Sequence, residues 1–397
     1  MRIVTSGVIV LIAVLAGVYG LWRDTGASGD TVEAPYFEVD PFWPKPLPNH
    51  WIIGSTIGIG VDADDHVWIL HDPSSLEDNE RGLDLNPRRG ECCAAAPHVL
   101  EFDPAGNLRR YWGGPGEAYE WPARAHGLTV DDKGNIWIGG NGPSDGHVLK
   151  FTRDGKILLQ VGTPMTASGP PDAQGNPTYA GNSHNTMGFG RVAKVFVDPR
   201  QNEAYLADGY LNRRVAVVDA DTGALKRYWG AYGNEPDDGD LGPYQADAPP
   251  AQQFRTPVHC ADISDDGLVY VCDRVNNRIQ VFRPDGTFVK EGFILRSTLG
   301  AGSAWDLAFS NDPAQTYLFV SDGINMRVHV LLRDTLEILT SFGDGGRQPG
   351  QFYGVHSIAV DSKGNVYTTE TWESKRVQKF VFKGVRRVAK QQGVVWP

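Results

Sequence analysis

Histidine recurs at one register of this chain. Six segments each open on an apolar strand that ends five residues later in Asp or Ser, and the opening residues are Ile57, His126, Ala193, His259, Trp305 and His356. Three imidazoles therefore fall on alternate segments. A single histidine at a strand start is usually packed or solvated, whereas three at equivalent places in a repeating structure can converge on one point. Converging neutral imidazoles hold a divalent ion at ~2.0 to 2.1 Å and leave coordination positions open for water or substrate. A catalytic metal needs such open positions and a structural one does not. Zinc is the first choice of ion, and copper or iron also accept imidazole.

The elements that carry these residues are short strands. The segments include IGIGVDADDHVWILHD, HGLTVDDKGNIWIGGN, HCADISDDGLVYVCDRVNNRIQVF and HSIAVDSKGNVYTTETWESKRVQKF, with apolar residues at period two and a Gly-containing turn closing most hairpins. The 47 Gly and 26 Pro in 397 residues call for many turns and few long helices. Units of ~40 to 50 residues with about four strands each are β-propeller blades, which hide their edges by radial repetition. The expected fold is all-β, a six-bladed propeller over 36–397, with YFEVDPFWPKP supplying the outer strand of the last blade and closing the ring. First strands line the channel of a propeller, so the three histidines are expected near one end of it at one height.

The net charge of -11 supplies no basic footprint, which argues against nucleic acid and for a small neutral or cationic ligand. Residues 1–23, with Arg2 ahead of an apolar run, read as a signal peptide or an N-terminal membrane anchor, and residues 24–35 as a linker. An exported domain, monomeric or tethered by that segment, is the expectation. Three long segments (71–97, 163–190 and 231–257) fall on the histidine face, where binding specificity is usually built. Within them His71 and His184 are second-tier pocket candidates. His50, His66, His98, His147 and His329 are read as structural or solvated. Cys260 and Cys272 are symmetric about the turn DDG and face each other across one hairpin. Cys92 and Cys93 are adjacent in a loop over the metal face. They are expected as a vicinal disulfide lining the pocket, as free thiols, or paired elsewhere.

HGLTVD, VHCADI, VHSIAV, LADGYLNRRV and VCDRVNNRI together resemble an NHL-repeat propeller, and more narrowly the peptidyl-α-hydroxyglycine α-amidating lyase family, over roughly residues 36–385. The resemblance implies zinc on His126, His259 and His356, Tyr210 as the catalytic base, and Arg274 beside it. A phenol of ordinary pKa ~10 serves as a base only near a cation or a metal-held substrate. The resemblance further implies a carbinolamide substrate cleaved at its C–N bond. A hydrolase acting on an ester or lactone is the neighbouring expectation. A copper redox enzyme and a non-catalytic propeller that binds protein or glycan through its loop face are the rivals from other classes.

Two positions depart from the family pattern. Asp72 stands where the family has a substrate-binding Arg, leaving Arg81, Arg88 or Arg89 of the following loop as the guanidinium that could reach in. Ser357 stands where the family has an Asp that helps bind a structural calcium, leaving backbone carbonyls such as that of Leu128. No monooxygenase domain is expected within these 397 residues, so a peptide-derived substrate would arrive from elsewhere.

Overall fold

The computed structural model describes residues 31–164 and 180–397. It is a ring of six four-stranded antiparallel sheets. The inner strands are Ser55–Val61, Ala125–Val130, Val192–Asp198, Val258–Ile263, Asp306–Phe309 and Val355–Val360 for blades one to six. A short parallel pair, Trp51–Ile52 with Ala94–Ala95, fastens the long loop of blade one. Among the described residues no helix is long and apolar enough to cross a membrane. The expected signal or anchor at 1–23, residues 24–30 of the linker, and residues 165–179 of the second long segment lie outside the described residues.

The ring closes as its sequence foretells. Strand Thr31–Asp40 pairs antiparallel with Arg376–Ala389, from Thr31 opposite Ala389 to Asp40 opposite Lys379, and becomes the outer strand of blade six. It begins five residues before the expected boundary at 36, so the end of the supposed linker is sheet. Phe37 and Val39 hold it there, buried among Phe342, Phe352 and Phe380. Each such side chain contributes roughly 1.5 to 3 kcal/mol of transfer free energy.

The repeated acidic residues explain the repeated pattern. At the end of the inner strand of blade two, Asp131 Oδ1 accepts N–H groups from Lys133 and Asn135, and its Oδ2 accepts the Trp137 indole N–H at 3.1 Å. Asp62 does the same for Asp64, His66 and Trp68. Asp361 does so for Lys363, Asn365 and the Tyr367 hydroxyl. One carboxylate thus fixes both the hairpin turn and the second-strand aromatic.

A second carboxylate ends the second strand and pairs with an arginine of the third. Arg214 Nε donates to Asp208 at 2.7 Å and Arg278 Nε to Asp273 at 2.8 Å, all four side chains being fully buried. Removing one partner of such a pair costs about 3 to 5 kcal/mol, because the other charge is left buried and alone. These pairs clamp the loops that carry Tyr210 and Arg274.

Candidate metal centre

The three histidines converge. Their candidate ligand nitrogens lie within 4.8 Å of one another, and their ring centroids are 4.9 to 5.2 Å apart. The inner strands are irregular at this height: the pairing register shifts between His126 and Leu128, between Val258 and Cys260, and between Val355 and Ile358. A bulge re-aims a side chain, here from the blade interior toward the axis. Gly127 permits the first of them, with φ of +68° and no room for a Cβ, which would meet the Ala193 carbonyl oxygen at 2.3 Å.

That same carbonyl orients His126. The Nδ1–H of His126 donates to Ala193 O at 2.7 Å and that of His259 to Trp305 O at 2.5 Å, each across to the following blade. His356 Nδ1 lies 2.9 Å from Ser357 Oγ. With Nδ1–H of His126 and His259 donating to carbonyls, their Nε2 presents a lone pair to the axis, the usual way a protein sets the tautomer of a ligand histidine, and a Ser357 hydroxyl that accepts from His356 Nδ1 sets the same tautomer there. Burial lowers the pKa of His126 to about 4, helped by the charges of Arg274 and Arg124. Burial likewise holds His259 and His356 well below the ordinary value, with Arg274 and the other imidazoles adding to it. Three neutral, pre-aimed imidazoles fit a divalent ion.

Tyr210 and Arg274 complete the cluster. The Tyr210 hydroxyl is 3.0 Å from Nε2 of both His126 and His259, and Arg274 Nη1 donates to it at 3.3 Å. Gly209 makes the approach possible, since a Cβ there would meet the Val258 carbonyl oxygen at 2.0 Å. The Arg274 guanidinium lies over Trp305, 4.6 Å from the ring centroid, and its Nε has no hydrogen-bond partner. Above the cluster opens a cavity of about 460 Å³, lined by Asp72, Arg124, Trp305, Trp372 and Lys375 besides the site residues.

Several expected pocket residues are elsewhere. His71 is fully buried with both nitrogens used, Nδ1 accepting from Gly54 N–H and Nε2 donating to Pro97 O. Arg88 donates to Gly90 O and Arg89 to Asp78, both away from the cavity. Cys92 and Cys93 do form a vicinal disulfide, but within the outer loop, where Cys93 O accepts from Leu83 N–H, and they do not line the cavity. His184 is exposed, 3.8 Å from Glu235, and is not a ligand of the cluster. The guanidinium beside Asp72 is instead that of Arg124, at 3.7 Å. Sequence reading missed Arg124, although it lies only two residues before His126, and missed Trp372. Trp372 follows Glu370 at the spacing with which Tyr210 follows Asp208, so the register argument applied one loop along would have found it. The Cys260–Cys272 disulfide forms as expected, directly across the hairpin behind His259.

The calcium implied by the resemblance does not fit. Beside the histidines lies a small cavity of about 10 Å³ bordered by Leu128 and Ser357, but Lys194 borders it too, and its ammonium is already bound to Asp262 and Asp306. The remaining acidic cluster with a histidine, Asp62, His66 and Glu101, is filled by the Arg153 guanidinium and so is structural.

Acid sensitivity follows from the buried imidazoles. His71 and His126 each have a folded pKa of about 4 against 6.5 for the free side chain. Between those values the unfolded chain binds more protons, so stability rises with pH there and is lost as pH falls from 6.5 through 4. The full loss is about 3 kcal/mol for each residue. Urea midpoints of metal-free protein at pH 7, 5.5 and 4 are expected to fall steadily. A constant midpoint would contradict the buried neutral state of these rings.

Comparison with known proteins agrees with this architecture. An NHL repeat model matches residues 258–282. NHL repeat-containing protein 3 of Mus musculus is 27% identical, the match covering 88% of this chain and 85% of that protein. Peptidyl-glycine alpha-amidating monooxygenase B of Xenopus laevis is 27% identical over 64% of this chain and 26% of its own length. A probable peptidyl-alpha-hydroxyglycine alpha-amidating lyase of Caenorhabditis elegans is 26% identical over 40% of this chain and 36% of its own. The chain thus spans about a quarter of the Xenopus amidating enzyme.

Proposed function

We propose that the protein is an exported, metal-dependent enzyme of the amidating-lyase kind, cleaving the C–N bond of a carbinolamide or hydrolysing a closely related small molecule. The observation that carries this reading is the Tyr210 hydroxyl, held 3.0 Å from two imidazole nitrogens and 3.3 Å from a guanidinium. A metal that merely pinned the ring would need no proton carrier beside it. Similarity to amidating enzymes supports the chemistry, and the two disulfides suit an oxidising compartment.

A divalent ion, when bound, would polarise the substrate hydroxyl oxygen and ease removal of its proton. Tyr210, as phenolate, accepts that proton while Arg274 steadies the charge on its oxygen. The C–O bond becomes a carbonyl, the C–N bond breaks with its electron pair leaving on nitrogen, and the proton returns from Tyr210 to that nitrogen. The products are an amide and an aldehyde acid. Arg274 and Arg124 face an anionic end of the substrate, and Trp305 and Trp372 offer it an apolar wall.

The direct test is incubation of zinc-loaded protein with an N-acyl-α-hydroxyglycine and measurement of glyoxylate. Metal-dependent glyoxylate release is the expected result. Release of acid and alcohol from simple esters with no glyoxylate would move the assignment to hydrolysis, and no metal-dependent turnover of either would end it.

A further inference from the structure

The floor of the channel is closed by one lysine. Lys194 projects from the inner strand of blade three, and its Nζ lies 2.9 Å from Asp262 Oδ2 in blade four and 2.6 Å from Asp306 Oδ1 in blade five. The other oxygen of Asp306 accepts the Ile358 N–H of blade six at 3.2 Å. A single ammonium thereby links four consecutive blades across the axis, and all three side chains are nearly excluded from solvent. Ser357, which borders the same cavity, turns its hydroxyl to His356 Nδ1.

Two carboxylates this close together, of which Asp306 borders the small axial cavity, are chemistry that attracts a hard dication with oxygen ligands. Here the position is taken. Burial opposes a charge on Lys194, but Asp262 and Asp306 outweigh it and keep the amine protonated. A dication brought beside that ammonium would meet direct repulsion in a poorly screened interior. The nearby Cys260 is in a disulfide and offers no ligand.

We propose that Lys194 is a covalently tethered replacement for a structural dication, so that the ring holds a metal only at its histidines and needs no calcium. This goes beyond the catalytic assignment and does not depend on it. The test compares melting of the zinc-loaded full chain in calcium-free buffer, with millimolar calcium, and with magnesium at equal ionic strength, while calcium and zinc per chain are read by elemental analysis. Native protein is expected to hold no stoichiometric calcium and to melt unchanged. Lys194→Met, close in length but uncharged, is expected to lower Tm by about 5 °C. Stoichiometric calcium in the native protein, a Tm raised by calcium and not by magnesium, or a Lys194→Met variant that melts like the native chain would each overturn the proposal. Should the variant fail to fold, the calcium measurements on the native protein still decide. Zinc retention in the same samples reports separately on the histidine site.

Discussion

Replacing His126 with alanine is expected to strip the metal from the purified protein and lower turnover by about 10³-fold or more, since a metal supplies several kcal/mol of transition-state stabilisation. The fold should survive. The change removes one hydrogen bond to Ala193 O, about 1 kcal/mol, and one buried ring, while the blade keeps its carboxylate clamps. Elemental analysis, circular dichroism and turnover on the same samples separate the possibilities. His259→Ala should behave alike, because its Nε2 faces the same point and its Nδ1 is anchored in the same way. Full metal content in either variant would mean that the three rings do not share an ion. Collapse of the fold in both would make the cluster a structural pin.

Tyr210→Phe is the sharper probe of chemistry. Phenylalanine keeps the ring contacts with His126 and His259 and removes only the hydroxyl. Loss of a positioned proton carrier costs about 10² to 10⁴ in kcat. Metal content should change little, because His126 and His259 stay anchored at Nδ1 by backbone carbonyls of the neighbouring blades and His356 by the Ser357 hydroxyl, contacts the substitution leaves in place. A variant that turns over within tenfold of the native protein would remove Tyr210 from the mechanism, leaving Arg274 to be examined next.

The ring and its candidate metal ligands were legible in the sequence because both rest on periodicity. Once six segments are aligned, a shared register places His126, His259 and His356 at one height, and the orphan strand around Phe37 has one place left to pair. What stayed hidden depends on contacts between segments distant in sequence. His71 ends its strand near the channel mouth, and nothing in its neighbourhood announces that Gly54 and Pro97 consume both of its nitrogens. Arg124 and Arg89 look equally eligible as strings of letters. The first enters the cavity because it precedes an inner strand, while the second is held by Asp78 on the outer loop. The register shifts that aim the histidines leave only Gly127 as a trace. Lys194 did leave a signal, a lone cation on a channel-lining strand, which acquires meaning only when Asp262 and Asp306 are found opposite it.

The hydrogen bonds from His126 to Ala193 and from His259 to Trp305 make two of the three rings depend on the module that follows their own, whereas His356 turns to Ser357 within its own. A module inserted after the second or the fourth would therefore have to bring a carbonyl of its own to that height. One inserted after the sixth would leave all three anchors as they are.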